Sequence, residues 1–243
     1  MQFTRLKILL CVLAAGCGGF SAPAVVSSNA PNFFVRVWPV EKGLPQNKVT
    51  CVVQTHDGYL WVGTYSGLAR FDGMAFTVFD GKNTPAMHSS RVTALFESDD
   101  GTLWIGHENG AVTTFKGGIF RAEKNSQSSH SGKIYAITAD ESGDVWLLGE
   151  SGLLVRSRDG LTRSPPPGQA LGLLSMTRAI DGTIWVARDG KLSTLRHGEL
   201  QVVPFGPAMT NTYVQGICAA HDGKVWIAND GRIRKWDGEK WTQ

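Results

Sequence analysis

Five copies of one short pattern make up most of the chain, and this repetition constrains the fold more than any other feature. Each copy has a turn of the form Asp-Gly followed, after two further residues, by a tryptophan; only the third copy differs, with Ser142 in place of the aspartate. The spacings between successive tryptophans are 43, 42, 39 and 41 residues, for Trp61, Trp104, Trp146, Trp185 and Trp226. A constant period of this length indicates a supersecondary unit that stacks against copies of itself.

Each copy reads as four short strands. Apolar residues precede the turn by eight and five positions, as Val49 and Val52 do in the first copy, and an apolar strand containing the tryptophan follows it. Two further strands are separated by a turn such as Asp72-Gly73. Four antiparallel strands at a period of 40 to 45 residues describe one blade of a β-propeller. We therefore predict an all-β propeller with five visible blades, at residues 48–80, 91–121, 133–163, 172–204 and 213–243.

One layer of the repeat holds only small side chains. Six residues before each turn, the chain has Cys51, Ala94, Ala136, Ser175 and Gly216. Because the first strands of a propeller crowd around its central axis, we interpret this layer as lining the axis. A stacked solenoid is the alternative architecture, although solenoid repeats are usually shorter or helical.

The beginning of the chain has the features of a secretory signal. Residues 1–24 combine Arg5 and Lys7 with an apolar stretch and a small-residue cleavage site, and residues 25–32 read as a linker. This predicts a periplasmic or secreted bacterial protein. The segment ending at Cys17 also fits a weak lipoprotein box, so anchoring through an acylated Cys17 remains an alternative. No later apolar run is long enough for a membrane span.

The two ends of the repeat array leave the closure of the ring open. Residues 33–38 align with a fourth strand that lacks a blade of its own, while the fifth copy stops a few residues into its own fourth strand. Either residues 33–38 complete the last blade, or the five blades are part of a larger ring. We expect the incomplete ring, in which Cys51 and Cys218 lie far apart as two separate buried thiols.

Three stretches resemble the two-component regulator propeller repeat found in bacterial hybrid histidine kinases and related receptors. They are Gly43-Leu44-Pro45-Gln46-Asn47-Lys48-Val49, residues 57–64 and residues 67–73. The resemblance implies a ring of seven blades outside the membrane that senses an oligosaccharide or similar ligand. It also implies that missing blades or a receptor partner complete the protein, because the chain contains no kinase or regulatory output domain.

The loops after the second and fourth strands vary most between copies, so we expect the ligand on that face of the propeller. The predicted ligand-binding residues are Tyr65, His107, Glu108, Asn109, Glu150, Arg188, Asp189, Asn229, Asp230 and Tyr213, with the connections at 87–88 and 211–213 beside them. We interpret the five repeat tryptophans as blade core instead of a sugar-binding platform.

No metal site, cofactor or catalytic residue is predicted. Residues 140–144 do not follow the spacing of a calcium loop, and the six histidines show no metal-binding pairing. A formal net charge of +3, which includes the two basic residues of the signal, gives no reason to expect nucleic acid as a partner. The sequence thus favours a binding protein over an enzyme.

Two other functions remain as alternatives. Streptogramin lyases resemble this chain in their Asp-Gly-x-Val-Trp repeats and use a loop histidine with a divalent ion, for which His107-Glu108 is the candidate here. A propeller that serves as a protein-interaction scaffold is the other, since a fold alone does not determine a function.

Overall fold

Short antiparallel strands account for nearly all regular structure of the protein. The structure, a computed structural model, describes residues 36–123, 132–150, 152–157, 160–163, 175–188, 191–203, 214–229 and 231–242. The one helical element among them is a short 3-10 turn at Val40–Lys42. None of the helical structure in these ranges is long and apolar enough to cross a membrane.

The strands form five separate sheets of four, as the repeat predicts. The first two sheets consist of β1 (Val49–Gln54), β2 (Leu60–Thr64), β3 (Gly67–Phe71), β4 (Phe76–Phe79), β5 (Val92–Glu97), β6 (Leu103–His107), β7 (Val112–Lys116) and β8 (Ile119–Ala122). The last three consist of β9 (Ile134–Ala139), β10 (Val145–Gly149), β11 (Gly152–Ser157), β12 (Gly160–Arg163), β13 (Ser175–Arg178), β14 (Ile184–Arg188), β15 (Lys191–Arg196), β16 (Glu199–Val202), β17 (Val214–Ala219), β18 (Val225–Asn229), β19 (Arg232–Trp236) and β20 (Trp241–Thr242).

Within each sheet the strands follow one another in chain order, and every neighbouring pair is antiparallel. Between sheets, the first strands pack side by side in the same order, β1 on β5, β5 on β9, β9 on β13 and β13 on β17. This arrangement of four-stranded sheets is that of a β-propeller, which confirms the predicted fold class.

Close packing between neighbouring blades requires glycine in the second strand. A Cβ atom on Gly63 would lie 2.8 Å from Cγ1 of Val92, and one on Gly106 would lie 2.7 Å from Cγ2 of Ile134. Val92 and Ile134 each begin the first strand of the next blade. The glycines therefore let a β-branched side chain of one blade enter the surface of the blade before it.

Side-chain hydrogen bonds join the same blades. The Thr50 hydroxyl donates to the carbonyl oxygen of Val92 at 2.8 Å, and the Thr93 hydroxyl donates to that of Ile134 at 2.7 Å. Thr50 and Thr93 occupy the same place in two successive copies, next to an irregularity in the pairing of the first and second strands. The first three blades are thus linked by equivalent bonds.

Two members of the small-residue layer lie where neighbouring blades meet. Cys51 and Ala94 pair across the sheet with Gly63 and Gly106, and Cys51 packs in the cluster that joins the first and second blades. Both share the space into which the next blade inserts its first β-branched side chain. Packing between blades therefore favours small side chains at these two positions, and the lining of an axis by the layer stays a prediction.

The repeat tryptophans fill the space between one blade and the next. The exposed fractions of the first four are 1%, 8%, 4% and 6%, for Trp61, Trp104, Trp146 and Trp185. Trp61 packs with Leu103 and Ile105 of the second blade, and Trp185 packs with Val225 and Ile227 of the fifth. Trp226 differs, because 40% of its surface is exposed.

The outer face of the fifth sheet is open. Ile233 is 65% exposed, whereas Leu68, its equivalent in the first sheet, is fully buried by the second blade. Among the described residues, no strand of the fifth sheet packs on the first sheet as the other neighbours pack on each other. The described residues therefore form an open series of blades. The prediction that Trp226 is a core residue is wrong, because no described blade packs against it.

The first sheet is covered differently, by residues that precede it. The ring centroid of Trp38 lies 4.7 Å from that of Phe71 and 5.9 Å from that of Phe76, and Leu44 is buried against Val62. Residues 36–39 form no strand, so the predicted strand at 33–38 is not found in its described part. The Trp38 side chain instead covers the first sheet.

Cys51 and Cys218 are both free, as expected. Cys51 is half-buried, and burial raises the pKa of its thiol to about 11. Cys218 is exposed, so the expectation that both thiols are buried is wrong for Cys218. The two cysteines hold different places in the repeat, because Cys51 pairs with Gly63 whereas Cys218 pairs with Trp226 on the open face of the fifth sheet.

Candidate functional site

Side chains alternate in direction along the second strand of a blade, and this divides the predicted site residues there into two groups. In the first two blades, the third residue after the repeat tryptophan is buried and the fourth lies in the loop that follows. His107 and Asn229 are third residues and are fully buried. Tyr65 and Glu108 are fourth residues and are partly exposed. The prediction that His107 and Asn229 lie on the ligand-binding surface is therefore corrected.

His107 has a structural position. Its Nε2 atom lies 2.9 Å from the hydroxyl oxygen of Thr113 on the adjacent strand of the same sheet. Burial lowers the pKa of the imidazole to about 4, so His107 is neutral at physiological pH. A buried neutral imidazole that bonds a threonine contributes to the interior of the second blade.

The remaining predicted residues are scattered. Arg188 extends toward the third blade, where its Nη1 atom lies 3.6 Å from the place of a Cβ on Gly152. Asn109 is exposed, and its side-chain oxygen accepts a hydrogen bond from the main-chain N–H of Ala111 at 3.1 Å. In the connection at 87–88, Met87 is buried and His88 is exposed. The predicted residues outside the described part of the chain are Asp189, Asp230 and Tyr213, together with 211–212.

The structure brings three of the predicted residues, Tyr65, Glu108 and Glu150, together with four others at the loop end of the first three blades. We call this set the Tyr65 cluster. It combines two tyrosines, two glutamates and three basic residues, namely Tyr65, Tyr135, Glu108, Glu150, Lys48, Arg91 and Lys133.

Tyr65 and Arg91 join the first blade to the second. The Arg91 guanidinium lies over the Tyr65 ring, 4.6 Å from its centroid, and the Lys48 ammonium lies 5.4 Å from the same centroid. Arg91 also forms a two-point ion pair with Glu108, in which Nη2 lies 3.1 Å from Oε1. The main-chain N–H of Glu108 also donates to the Arg91 carbonyl at 3.0 Å. This bond joins the residue before β5 to the residue after β6, so it holds the ion pair in place.

The third blade contributes the other half of the cluster. The main-chain N–H of Lys133 donates to the Glu150 carboxylate at 3.2 Å, and the Lys133 ammonium lies 4.9 Å from the Tyr135 ring centroid. Burial raises the pKa of the Tyr135 phenol, and the charges of Glu150 and Tyr65 raise it further. The first strands of the three blades pack side by side near these residues, through the bonds of Thr50 to Val92 and of Thr93 to Ile134, so the two halves lie at the same loop end.

Sequence reasoning found Tyr65, Glu108 and Glu150 but missed the basic residues. Lys48, Arg91 and Lys133 each stand immediately before the first strand of a copy, a position that is basic in three consecutive copies. First and second strands pair along their length, so this position lies beside the residue that follows the second strand. The regularity was present in the sequence, and combining it with the strand register would have predicted the cluster.

The opposite end of the blades is made of Asp-Gly turns that brace one another. The His56 Nδ1 atom lies 2.6 Å from Oε1 of Glu97 in the next blade, and the His56 main-chain N–H donates to Oε2 at 2.8 Å. The hydrogen bond to Glu97 and its charge raise the pKa of His56. In the described ranges no group of three or more histidine, cysteine, aspartate or glutamate side chains is placed to hold a metal ion.

The repeat matches a known family model. Residues 43–66 and 87–109 match the model described as "Two component regulator propeller". These segments contain the second strands of the first two blades and the loops that carry Tyr65 and Glu108. Two segments of the chain are therefore similar to this propeller repeat. The Tyr65 cluster includes loops that lie within these segments.

Solved structures share the architecture of this chain at low sequence identity. The extracellular domains of the putative hybrid two component system BT3049 and of the putative one component system BT4673, both from B. thetaiotaomicron, are 20% and 19% identical, with TM-scores of 0.64 for each. They align with 80% and 82% of this chain, which spans 27% and 30% of their lengths.

Virginiamycin B lyase from Staphylococcus aureus is a further structural neighbour of this chain. It is 17% identical, with a TM-score of 0.62, and the alignment covers 82% of this chain and 70% of the lyase. Identities at this level establish a shared fold. No curated protein sequence is a significant match.

Proposed function

We propose that this chain is the extracytoplasmic ligand-sensing propeller of a two-component-type receptor and that it binds an oligosaccharide or a similar ligand. The observation that carries the proposal is the Tyr65 cluster, in which aromatic, acidic and basic groups from three blades converge at one loop end. Convergent polar groups on a rigid scaffold are typical of ligand sites.

The cellular location and the receptor context are parts of the same proposal. Residues 1–24 have the features of a secretory signal, and two of the structural neighbours are extracellular domains of putative bacterial one- or two-component systems. An extracytoplasmic propeller with a ligand site on its loop face would supply the sensory half of such a receptor. A separate output domain would have to carry the signal into the cell.

We also propose that the chain is not an enzyme. The lyase alternative needs a histidine that reaches a substrate and a divalent ion, yet His107 is fully buried and bonded to Thr113. Its neighbour Glu108 is engaged by Arg91 instead. The test is an assay of the purified protein on a streptogramin substrate with added divalent ions, for which we expect no turnover; turnover that disappears in His107→Ala would establish the lyase.

The binding proposal is tested by a glycan array followed by calorimetric titration of the best binder. We expect Tyr65→Ala to weaken binding by at least about tenfold, the equivalent of about 1.4 kcal/mol. Tyr59→Ala is the matched control, because Tyr59 stands at the opposite end of the same strand and also carries a cation, with Arg70 at 4.4 Å from its ring centroid. Equal losses in the two variants would rule out the Tyr65 cluster as the site.

One observation favours a second candidate, a protein-interaction propeller. Trp226 and Ile233 are 40% and 65% exposed on the open face of the fifth sheet, and Cys218 is exposed beside them. Contiguous apolar surface of this kind marks interaction sites in soluble proteins. A partner that packs on this face would bury residues whose equivalents are buried in every preceding blade.

The second candidate is tested by a pull-down from periplasmic extract with the native chain and an Ile233→Arg variant. A partner that is captured by the native chain and lost in the variant would support it. Ile119→Arg is the control, because Ile119 is also exposed, at 53%, but lies on the outermost strand of the second sheet. Equal capture by all three proteins would reject the fifth-sheet face as an interaction site.

A further inference from the structure

The Tyr65 cluster presents more hydrogen-bond donors than acceptors, and this property indicates the chemistry of its ligand. One basic residue stands at the same repeat position in each of the first three blades, as Lys48, Arg91 and Lys133. Equivalent positions in successive blades place positive charge at regular intervals around the loop end. A ligand that crosses the three blades would meet a cation at each of them.

Two of these three cations are available to a ligand. Arg91 is paired with Glu108 through both ends of its guanidinium group. In the part of the chain that the structure describes, neither the Lys48 nor the Lys133 ammonium lies within ion-pair distance of a carboxylate. The Glu150 carboxylate accepts from the main-chain N–H of Lys133. Each lysine therefore retains three N–H donors for charge-assisted hydrogen bonds.

The two tyrosines are poorly suited to stack on a neutral sugar. Cations already lie over both rings, at 4.6 Å and 5.4 Å from the Tyr65 centroid and at 4.9 Å from the Tyr135 centroid. A sugar that stacked on those ring faces would have to displace a cation held by the ring quadrupole. The phenolic hydroxyls remain, and the Tyr135 hydroxyl, like that of any tyrosine at neutral pH, is protonated and can donate.

We propose that the Tyr65 cluster selects acidic oligosaccharides, in which carboxylate groups of uronic acid residues bind the Lys48 and Lys133 ammonium groups and the phenol of Tyr135. The inference rests on the proposed function, because it specifies the ligand of the same site. Neutral oligosaccharides would lack the groups that pair with these donors. Unpaired ammonium groups would then lose hydration on binding without compensation.

The test uses two probes that differ only in charge, tetragalacturonate and its fully methyl-esterified form, titrated calorimetrically into the full-length chain. We expect the acid to bind at least about tenfold more tightly than the ester, the equivalent of one charge-assisted hydrogen bond. Because exposed ion pairs are screened, the preference should shrink between low and high salt. The Lys48→Gln/Lys133→Gln double variant should lose the preference.

Lys240→Gln serves as the control, since Lys240 lies at the opposite end of the fifth blade, and circular dichroism checks that every variant is folded. Equal binding of the acid and the ester would overturn the selectivity for acidic sugars and leave the proposed function standing. Selective binding that survives in the double variant would overturn the assignment to these lysines. Binding of neither probe, together with a glycan array without binders, would overturn both proposals.

Discussion

Trp185 and Trp226 hold the same position in the fourth and fifth blades but differ in exposure, at 6% and 40%. Trp185 packs between two blades, against Val225 and Ile227, so truncation to alanine removes its contacts and leaves a cavity. We expect Trp185→Ala to lower the free energy of unfolding by about 4–5 kcal/mol, near the upper end for buried aromatic residues.

Trp226→Ala should cost less, because the open face leaves no enclosed cavity. The variant loses only the contacts of the buried part of the ring. At about 25 cal/mol per Å² of apolar surface, this lowers the free energy of unfolding by about 2 kcal/mol. The pair is well matched, since both variants delete the same side chain from the second strand of a blade. We therefore expect a difference of about 2–3 kcal/mol between them.

The assay is urea unfolding monitored by far-ultraviolet circular dichroism, which avoids a fluorescence signal that the substitutions themselves remove. Equal losses in the two variants would refute the reasoning, because they would mean that Trp226 is as fully covered in solution as Trp185. Sedimentation at several protein concentrations would then show whether a second copy provides the cover. A loss of unfolding free energy in Trp226→Ala that grows with protein concentration would also indicate that a second copy covers Trp226.

Three further predictions concern single positions. The pKa of His56 is raised in the folded state, so its ion pair with Glu97 stabilises the protein below about pH 6.5, and this stabilisation is lost as pH rises through the folded pKa. The His56→Gln variant should therefore have a lower urea midpoint than the native chain at pH 5.5 and the same midpoint at pH 8.5. Gly106→Ala places a Cβ 2.7 Å from a side chain of the next blade and should lower the free energy of unfolding by about 1–3 kcal/mol. Gly216→Ala is the control, because no atom lies within 4 Å of the added Cβ, and it should change the free energy of thermal unfolding by less than about 0.5 kcal/mol. Cys218 should react with a thiol reagent at pH 8, while Cys51, with a pKa of about 11, should react only on unfolding. Peptide mapping after alkylation under denaturing conditions without reductant should find both residues labelled.

The blades could be predicted from the sequence because their signals are local. An apolar strand, an Asp-Gly turn and a second strand around the tryptophan recur five times, and short antiparallel strands joined by tight turns leave few other architectures. The predicted four-stranded sheets are all present. The repeat pattern did not predict the direction of individual side chains near the strand ends.

The candidate site shows this limit most clearly. His107 and Glu108 are adjacent in sequence and were both predicted at the surface, but a strand directs neighbouring side chains to opposite faces. His107 is buried in the blade, and Glu108 pairs with Arg91 in the loop. The location of the strand's last residue decides which of the two reaches solvent, and strand ends are the least certain part of a prediction from sequence.

The ends of the blade series could not be predicted because burial there depends on neighbours and not on residue type. Trp38 illustrates the point, since it lies on Phe71 at 4.7 Å much as Trp61 lies on Phe115 at 5.0 Å. A tryptophan from outside the first blade thus covers the first sheet in the way that one blade covers the next. No blade among the described residues covers Trp226 in this way at the other end.

This asymmetry bears on where a ligand site is best supported. The Tyr65 cluster draws its residues from the first three blades, whose shared interfaces are buried and bonded through Thr50 and Thr93. Loops mounted on such interfaces hold their side chains in fixed relative positions, which lowers the entropy lost when a ligand binds. The fifth sheet instead has an open apolar face, with Ile233 65% exposed. We therefore expect a ligand that needs preformed geometry to bind at the loop end of the first three blades, and we propose the fifth blade as the surface that packs against another protein.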